Sequence, residues 1–267
     1  MRYKEHNIGG DCMDEILFLG TGAADWEIEN KGVFFRRNSA ALINFELMVD
    51  CGGHIFDFAE SINEDNLYKN VTDIIITHNH SDHFCKDSVI KLAEARKIRV
   101  GCNKQIRDII GEHPNIEFVL FTPFEAKKMG KYEVVPLLAN HQMVIDGDAC
   151  AFHYIINTPD RKKIFYGLDG AWLLRPSWEV MKKYKFNLMV FDCTVGDRDD
   201  WRLFEHNTVP MLRMIVEGIK IADILEDNGM LVASHLARSL HDSHEQTKKI
   251  LKEINMITAY DGMKLIF

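Results

Sequence analysis

A short segment rich in histidine, Thr77-His78-Asn79-His80-Ser81-Asp82-His83, stands out in this sequence. It directly follows the apolar run at 73–76, which is typical of a buried strand. On an extended backbone, His78 and His80 share a face. Asp82 and His83 then lie where the chain turns, within reach of a second position. Because imidazole and carboxylate groups bind divalent transition metals, the segment predicts a metal site at a strand end. The alternative is a solvated polar loop.

The composition is that of a globular chain in water. Of 267 residues, 46% are hydrophobic and 27% are charged. No apolar run approaches the roughly 18 residues of a membrane span. The N-terminal residues Met1 to His6 lack the apolar core of a signal peptide. We therefore expect a cytoplasmic protein with no membrane segment.

Charge and cysteine content narrow the range of partners. The net charge is −8, and an acidic protein without a basic arm is a poor electrostatic match for long nucleic acid. The cysteines are dispersed and form no C-x-x-C pair, so we expect reduced thiols rather than disulfides or a zinc knuckle. They are Cys12, Cys51, Cys85, Cys102, Cys150 and Cys193.

Short apolar runs alternate with longer amphipathic stretches along the whole chain. The runs predict strands at 15–19, 40–45, 47–50, 73–77, 117–121, 132–138, 150–156, 163–167, 187–192 and 230–234. The amphipathic stretches predict helices at 54–67, 87–97, 177–184, 209–225 and 243–253, the last opened by Ser243. Strands then helices in both halves predict an α/β protein, and the even spacing predicts one domain over residues 1–267.

The pattern H-x-H-x-D-H after an apolar strand resembles the signature of the metallo-β-lactamase superfamily, and the resemblance extends over nearly the whole chain. The resemblance implies a four-layer αββα sandwich. It also implies three further ligands at strand ends, which match His141, Asp169 and His235. By this similarity His78, His80 and His141 hold one metal. Asp82, His83 and His235 hold the other, and Asp169 bridges the two ions.

The chemistry of seven ligands favours two open metal sites over one closed structural zinc site, which uses four. Two divalent ions about 3.5–4 Å apart lower the pKa of a water molecule bound between them, so that it is present as hydroxide. They also hold substrate oxygens. Five histidines and two carboxylates suit zinc best, with manganese and iron left open. The expected enzyme is therefore a dinuclear metal-dependent hydrolase.

Two further segments resemble the phosphodiesterase branch, which includes tRNA 3′-processing endonucleases and phosphoribosyl cyclic phosphodiesterases. The first is the loop at 18–22, Phe-Leu-Gly-Thr-Gly. The second is Asp192-Cys193-Thr194 followed by His206. The resemblance implies that Asp192 orients His206, which stabilises phosphoryl oxygens and protonates the leaving alkoxide. His206, Asp192 and Asp82 are the expected catalytic residues. The alternative for His206 is a helix cap before Thr208.

The resemblance also implies residues that support the metal-binding imidazoles. Asp50 resembles the family's buried aspartate, which hydrogen-bonds a ligating imidazole, and Thr77 has a similar expected part. Elsewhere, His54 is expected to be a helix cap or surface residue, and His153 to be solvent-facing or hydrogen-bonded. Trp172 and Trp201 either pack against the core or line the mouth of the site.

Departures from the branch restrict the substrate. The interval between His141 and Asp169 is too short for the long basic arm that grips tRNA, and the chain has no cysteine-rich zinc insertion. We therefore expect hydrolysis of a small phosphodiester, with cyclic ones among the candidates, by attack of a hydroxide that bridges the metals. A lactonase, a thioesterase or a non-catalytic metal-binding scaffold is the alternative. The resemblance to this branch, in which dimers are common, also implies a homodimer.

Overall fold

Two seven-stranded sheets form the centre of the structure. The computed structural model describes residues 13–26, 35–141 and 151–267. The strands of the first sheet are β1 (Glu15–Gly20), β2 (Ala40–Ile43), β3 (Leu47–Val49), β4 (Asp73–Ile75), β5 (Ile98–Cys102), β6 (Ile116–Leu120) and β14 (Lys264–Ile266). Those of the second are β7 (Lys127–Met129), β8 (Tyr132–Leu138), β9 (Phe152–Asn157), β10 (Lys163–Gly167), β11 (Phe186–Asp192), β12 (Leu225–Ser234) and β13 (Ile257–Thr258). The strand orders are β14-β1-β2-β3-β4-β5-β6 and β13-β12-β11-β10-β9-β8-β7.

Helices cover the outer faces of both sheets. They are α1 (Ile55–Ser61), α2 (Lys86–Ala95), α3 (Lys104–Ile110), α4 (Arg175–Met181), α5 (Val209–Ala222) and α6 (His244–Lys252), with a short 3₁₀ helix at Trp201–Phe204. The first three pack against the outer face of the first sheet, for example through Phe58 and Leu92. The last two pack on the second sheet through Leu212 and Leu251.

The two sheets pack face to face through one apolar core. Phe18 and Val49 of the first sheet meet Tyr154, Tyr166 and Val190 of the second, and all five are buried. Removing this apolar area from water is the main force that joins the sheets. The predicted four-layer αββα arrangement is confirmed.

The direction of the strands determines where their ends meet. β10, β11 and β12 run parallel to one another, as do β3 and β4. β8 is antiparallel to β9, which is antiparallel to β10. The carboxyl ends of β8, β10, β11 and β12 therefore lie at one edge of the second sheet, where loops can gather polar side chains.

Local backbone chemistry explains where several elements end. The predicted strand 40–45 ends at Ile43 because Asn44 and Phe45 adopt φ of 52° and 56° in the turn. The predicted helix 54–67 is wrong beyond Ser61, and Asn63 is left-handed at φ 55°. The predicted helix 209–225 ends at Ala222, followed by the left-handed Asp223.

The residues at the helix N-termini decide between the alternatives left open for His206 and His54. Ser243 caps α6 in a capping box with Gln246, as predicted. The cap of α5 is Thr208, whose hydroxyl oxygen accepts a hydrogen bond from the N–H of Met211 at 3.3 Å. The helix-cap role of His206 is therefore wrong. His54 occupies the cap position of α1 without a side-chain capping bond, and its Nδ1 accepts from Asn38 N–H at 3.4 Å.

Six elements of the described ranges were not predicted: β5, α3, β7, β13, β14 and the short 3₁₀ helix. The four cysteines in the described ranges are free thiols: Cys51, Cys85, Cys102 and Cys193. His6, Cys12, Cys150 and the first residue of the predicted strand 150–156 lie outside the described residues. Among the helices of the described ranges, none has the length and apolar character needed for a membrane crossing.

Candidate metal centre

Left-handed residues at strand ends place the polar side chains of the centre. Asp50 follows β3, Asp169 lies just after β10 and His235 follows β12, with φ of 60°, 54° and 58°. Such angles are uncommon outside glycine and cost on the order of 1–3 kcal/mol each. Residues of this kind cluster at functional sites, where the surrounding structure holds them in place. All three are buried.

The first group of donors comprises His78, His80, His141 and Asp169, whose ligand atoms lie within 4.8 Å of one another. Asp169 Oδ2 lies 3.2 Å from His78 Nε2 and 3.3 Å from His141 Nε2. His80 Nδ1 lies 3.1 Å from His141 Nε2 and 4.0 Å from Asp169 Oδ2. One small volume is therefore faced by three imidazoles and a carboxylate.

The second group comprises Asp82, His83, His235 and again Asp169. Asp169 Oδ1 lies 2.9 Å from His235 Nε2 and 3.4 Å from His83 Nε2. His235 Nε2 lies 3.2 Å from Asp82 Oδ2 and 3.1 Å from His83 Nε2. Asp169 thus presents one carboxylate oxygen to each group. All seven side chains that the sequence singled out meet here.

The donor groups fit divalent cations. A tetrahedral ion with bonds of about 2.0–2.1 Å places its donors about 3.3 Å apart, close to most of the separations seen here. His78 Nε2 and Asp169 Oδ1 are buried and make no hydrogen bond. Within the described ranges, no lysine or arginine pairs with the carboxylates of Asp50, Asp82 or Asp169. Buried charges of this kind call for a metal or another cation.

Hydrogen bonds behind two of the imidazole donors orient their rings. Asp50 Oδ2 lies 2.8 Å from His83 Nδ1, and Asp50 Oδ1 accepts from the N–H and hydroxyl of Thr77 at 2.8 and 2.9 Å. Thr77 Oγ1 also lies 3.0 Å from His78 Nδ1. Because the Nδ1 atoms are engaged, His78 and His83 present Nε2 to the centre.

Asp192 and Thr194 organise the other side of the centre. Asp192 Oδ2 lies 2.9 Å from His206 Nδ1 and accepts from the hydroxyl of Thr194 at 2.8 Å. Thr194 Oγ1 in turn lies 2.7 Å from His235 Nδ1. His206 is stacked on the ring of His235 with centroids 5.7 Å apart. The structure therefore places His206 beside the donor groups, with Asp192 as its partner.

The electrostatics of the two groups differ. Burial alone lowers the pKa of His83, but the carboxylates of Asp169, Asp50 and Asp82 outweigh it and raise the pKa to about 10. Burial lowers the pKa of His141 to about 3. Burial also opposes ionisation of Asp169, yet His235 and His83 hold the pKa of this carboxyl well below its usual range. In the metal-free protein His141 is therefore neutral, whereas His83 is a cation that faces the anionic Asp169. A metal bound to His83 would take the place of its proton.

Asp192 raises the pKa of His206, as the carboxylates around His83 raise the pKa of that histidine. Burial alone lowers the pKa of the His206 imidazole, but Asp192 reverses the effect and raises it. A raised pKa makes the ring a better proton carrier near neutral pH.

Two further residues lie beside the centre: His153, for which the hydrogen-bonded alternative is confirmed, and Glu205, which the sequence analysis missed. His153 is buried rather than solvent-facing, and its Nε2 donates to the backbone oxygen of Asp169 at 3.3 Å. Glu205 places a carboxylate oxygen within 4.8 Å of ring nitrogens of His141 and His206. The sequence signal that could have identified Glu205 is its position directly before His206, the expected catalytic histidine.

This chain is similar in structure to several known proteins. No protein-family model and no curated protein sequence matches the chain. The metallo-β-lactamase fold protein YhfI from Bacillus subtilis superposes with a TM-score of 0.72 at 14% identity, covering 96% of this chain and 100% of that chain. A new diphosphatase from the PhnP family gives a TM-score of 0.72 at 16% identity, covering 96% and 98%.

The short form of human tRNase Z gives a TM-score of 0.65 at 17% identity, with 94% of this chain and 98% of that chain covered. Identities this low establish the arrangement of the backbone and leave the chemistry to be argued from the site. The two facing sheets, the helices outside them and these likenesses together show that the chain has the metallo-β-lactamase fold.

Proposed function

We propose that this protein is a metal-dependent hydrolase that uses two divalent cations to cleave small phosphodiesters. The observation that carries the proposal is the position of Asp169, whose two oxygens face two separate groups of imidazole and carboxylate donors. His78, His80 and His141 would hold one ion, and Asp82, His83 and His235 the other, with Asp169 shared. Zinc suits these histidine-rich groups best, and manganese and iron are the competitors.

When bound, two such ions supply Lewis acidity that activates water and offsets charge on phosphoryl oxygens. The protein's own contribution to proton transfer lies in His206. Its Nδ1 faces Asp192, which fixes the orientation of the ring and favours the protonated form. The other ring nitrogen, Nε2, is then available to donate a proton to the leaving oxygen.

The preference for phosphodiesters is supported by this histidine and by two structural neighbours. The neighbours are a diphosphatase and a tRNase, names that denote cleavage of bonds to phosphorus. A net charge of −8 argues against a long nucleic acid as substrate. A cytoplasmic location and a homodimer remain predictions.

A side-by-side assay tests the proposal. The metal-loaded protein is offered bis(p-nitrophenyl) phosphate and a lactone. We expect phosphodiester hydrolysis, and His206→Ala to reduce kcat by about 10²-fold or more, the usual contribution of a positioned acid. His113→Ala, on the loop before β6, is the matched control. Lactone turnover without phosphodiester turnover would overturn the substrate class, and full activity of His206→Ala would overturn the mechanism.

A further inference from the structure

Large apolar side chains lie exposed on a loop and on the short 3₁₀ helix beside the candidate metal centre. Trp172 follows Asp169 by three residues and is 41% exposed, and Phe204 precedes His206 by two and is 75% exposed. We refer to Trp172 and Phe204 as the aromatic rim. Exposed aromatic side chains that flank a candidate active site are typical of a ligand-binding surface.

The aromatic rim is tied to the centre by two asparagines. Asn140 Nδ2 donates to the backbone oxygen of Ala171 at 3.0 Å and to that of Phe204 at 3.5 Å. Asn207 Oδ1 accepts from the N–H of Trp172 at 2.7 Å. Each asparagine is the chain neighbour of a histidine at the centre, namely His141 or His206. The loop and the 3₁₀ helix that carry the aromatic rim are therefore anchored to the same segments that carry the site.

The backbone of Trp172 is also held in place by its hydrogen bond to Asn207. Its φ is 58°, a left-handed conformation that a bulky residue rarely adopts. The bond from Asn207 holds this conformation, and the indole is left partly in solvent rather than in the core. A strained residue held next to a candidate active site is typical of a ligand contact.

The charge around the mouth restricts the ligand further. The Glu205 carboxylate lies within 4.8 Å of ring nitrogens of His141 and His206, and its side chain is exposed. Negative charge here disfavours a second phosphate or a dianionic phosphomonoester, because like charges in contact repel. A single-charge phosphodiester is affected least.

Building on the proposed function, we infer that the aromatic rim binds an aryl or nucleobase group of a phosphodiester that carries one negative charge. The group stacks on Trp172 and Phe204 while the phosphoryl group lies at the donor groups around Asp169. Offset or edge-to-face ring contacts supply affinity, and they are tolerant of which ring is offered. Phosphodiesters with two alkyl groups lack this contact.

Two substrates with the same leaving group test the inference. These are bis(p-nitrophenyl) phosphate and methyl p-nitrophenyl phosphate, which differ in the group that stays on phosphorus. For the double variant Trp172→Ala/Phe204→Ala we expect kcat/KM for the diaryl ester to fall about fivefold to tenfold, mostly through KM. For the methyl ester we expect a change below about twofold. Because both esters release the same leaving group, the contribution of that group cancels when the two kcat/KM values are compared as a ratio.

Ile221→Ala is the matched control, since this side chain is 86% exposed and lies at the far end of α5. The single variant Phe204→Ala repeats the test if the double variant fails to fold. An equal loss for both esters, or an unchanged ratio, would overturn the inference and leave the proposed function standing. No hydrolysis of either ester by the metal-loaded wild type would overturn both.

Discussion

The imidazole of His153 lies directly behind Asp169, the residue that both donor groups share, with its Nε2 3.3 Å from the backbone oxygen of Asp169. A carbonyl oxygen only accepts, so Nε2 carries the proton. Burial lowers the pKa of His153 to about 4, and the ring is therefore neutral near pH 7. This bond holds the left-handed turn from which Asp169 reaches both donor groups.

We predict that His153→Phe weakens metal binding about 10- to 100-fold, as losses of supporting hydrogen bonds do. Leaving the Asp169 carbonyl unsatisfied should also lower the free energy of unfolding of the metal-free protein by about 1–3 kcal/mol. Chelator competition measures the first effect and urea denaturation the second. Gln at position 153 should recover part of the affinity because it can donate to the same oxygen. Unchanged metal affinity in His153→Phe would contradict this role.

Thr194 links two sides of the centre through one hydroxyl. It donates to Asp192 Oδ2 and faces His235 Nδ1 at 2.7 Å. Thr194→Val keeps the shape but removes both bonds, so the second donor group should lose about tenfold or more in affinity. Thr194→Ser keeps the hydroxyl and should stay close to wild type. If Val and Ser behave alike in a metal titration, the hydroxyl has no such part.

Much of the candidate centre was predictable because its residues follow strands. The H-x-H-x-D-H segment and the three later residues His141, Asp169 and His235 each come after an apolar run, and parallel strands bring their carboxyl ends to one edge. The structure shows that they meet. Their assignment as ligands remains a prediction.

The pattern around His153 left two alternatives open, solvent-facing or hydrogen-bonded, and the structure shows the hydrogen-bonded one. His153 alternates with Phe152 and Tyr154, which suggests one face in water. Both faces of the second sheet are covered, however, one by the first sheet and one by helices, so both sets of side chains are buried. Short elements such as β13, two residues long, also lack a periodic signal.

Asp25 provides a test of stability against pH. Partial burial alone raises its pKa, but hydrogen bonds from Ser239 and Arg238 outweigh burial and lower the pKa below the usual value of 3.8. The resulting stability is fully present above the pKa of the unfolded chain and is lost as pH falls through the lower pKa of the folded chain. We expect Asp25→Asn to lose less stability than wild type on acidification from about pH 5 to pH 3. Denaturation curves at each pH provide the comparison, and parallel profiles would contradict the prediction.

Glu205 should select against doubly charged substrates. A carboxylate this close to the ring nitrogens of His141 and His206 repels a dianion by about 1 kcal/mol in a watery site. Glu205→Gln should therefore raise the kcat/KM for p-nitrophenyl phosphate, relative to that for bis(p-nitrophenyl) phosphate, by about fivefold. High salt should shrink the difference. Glu112→Gln, on the exposed segment after α3, is the control, and an equal ratio in all three proteins would exclude a selective role for Glu205.

The central claim is that Asp169 is shared by two metal ions. Anomalous scattering from crystals of the zinc-loaded protein tests this directly. We predict two peaks about 3.5–4 Å apart, one near His78, His80 and His141 and one near Asp82, His83 and His235. A single peak, or no peak beside Asp169, would contradict the account.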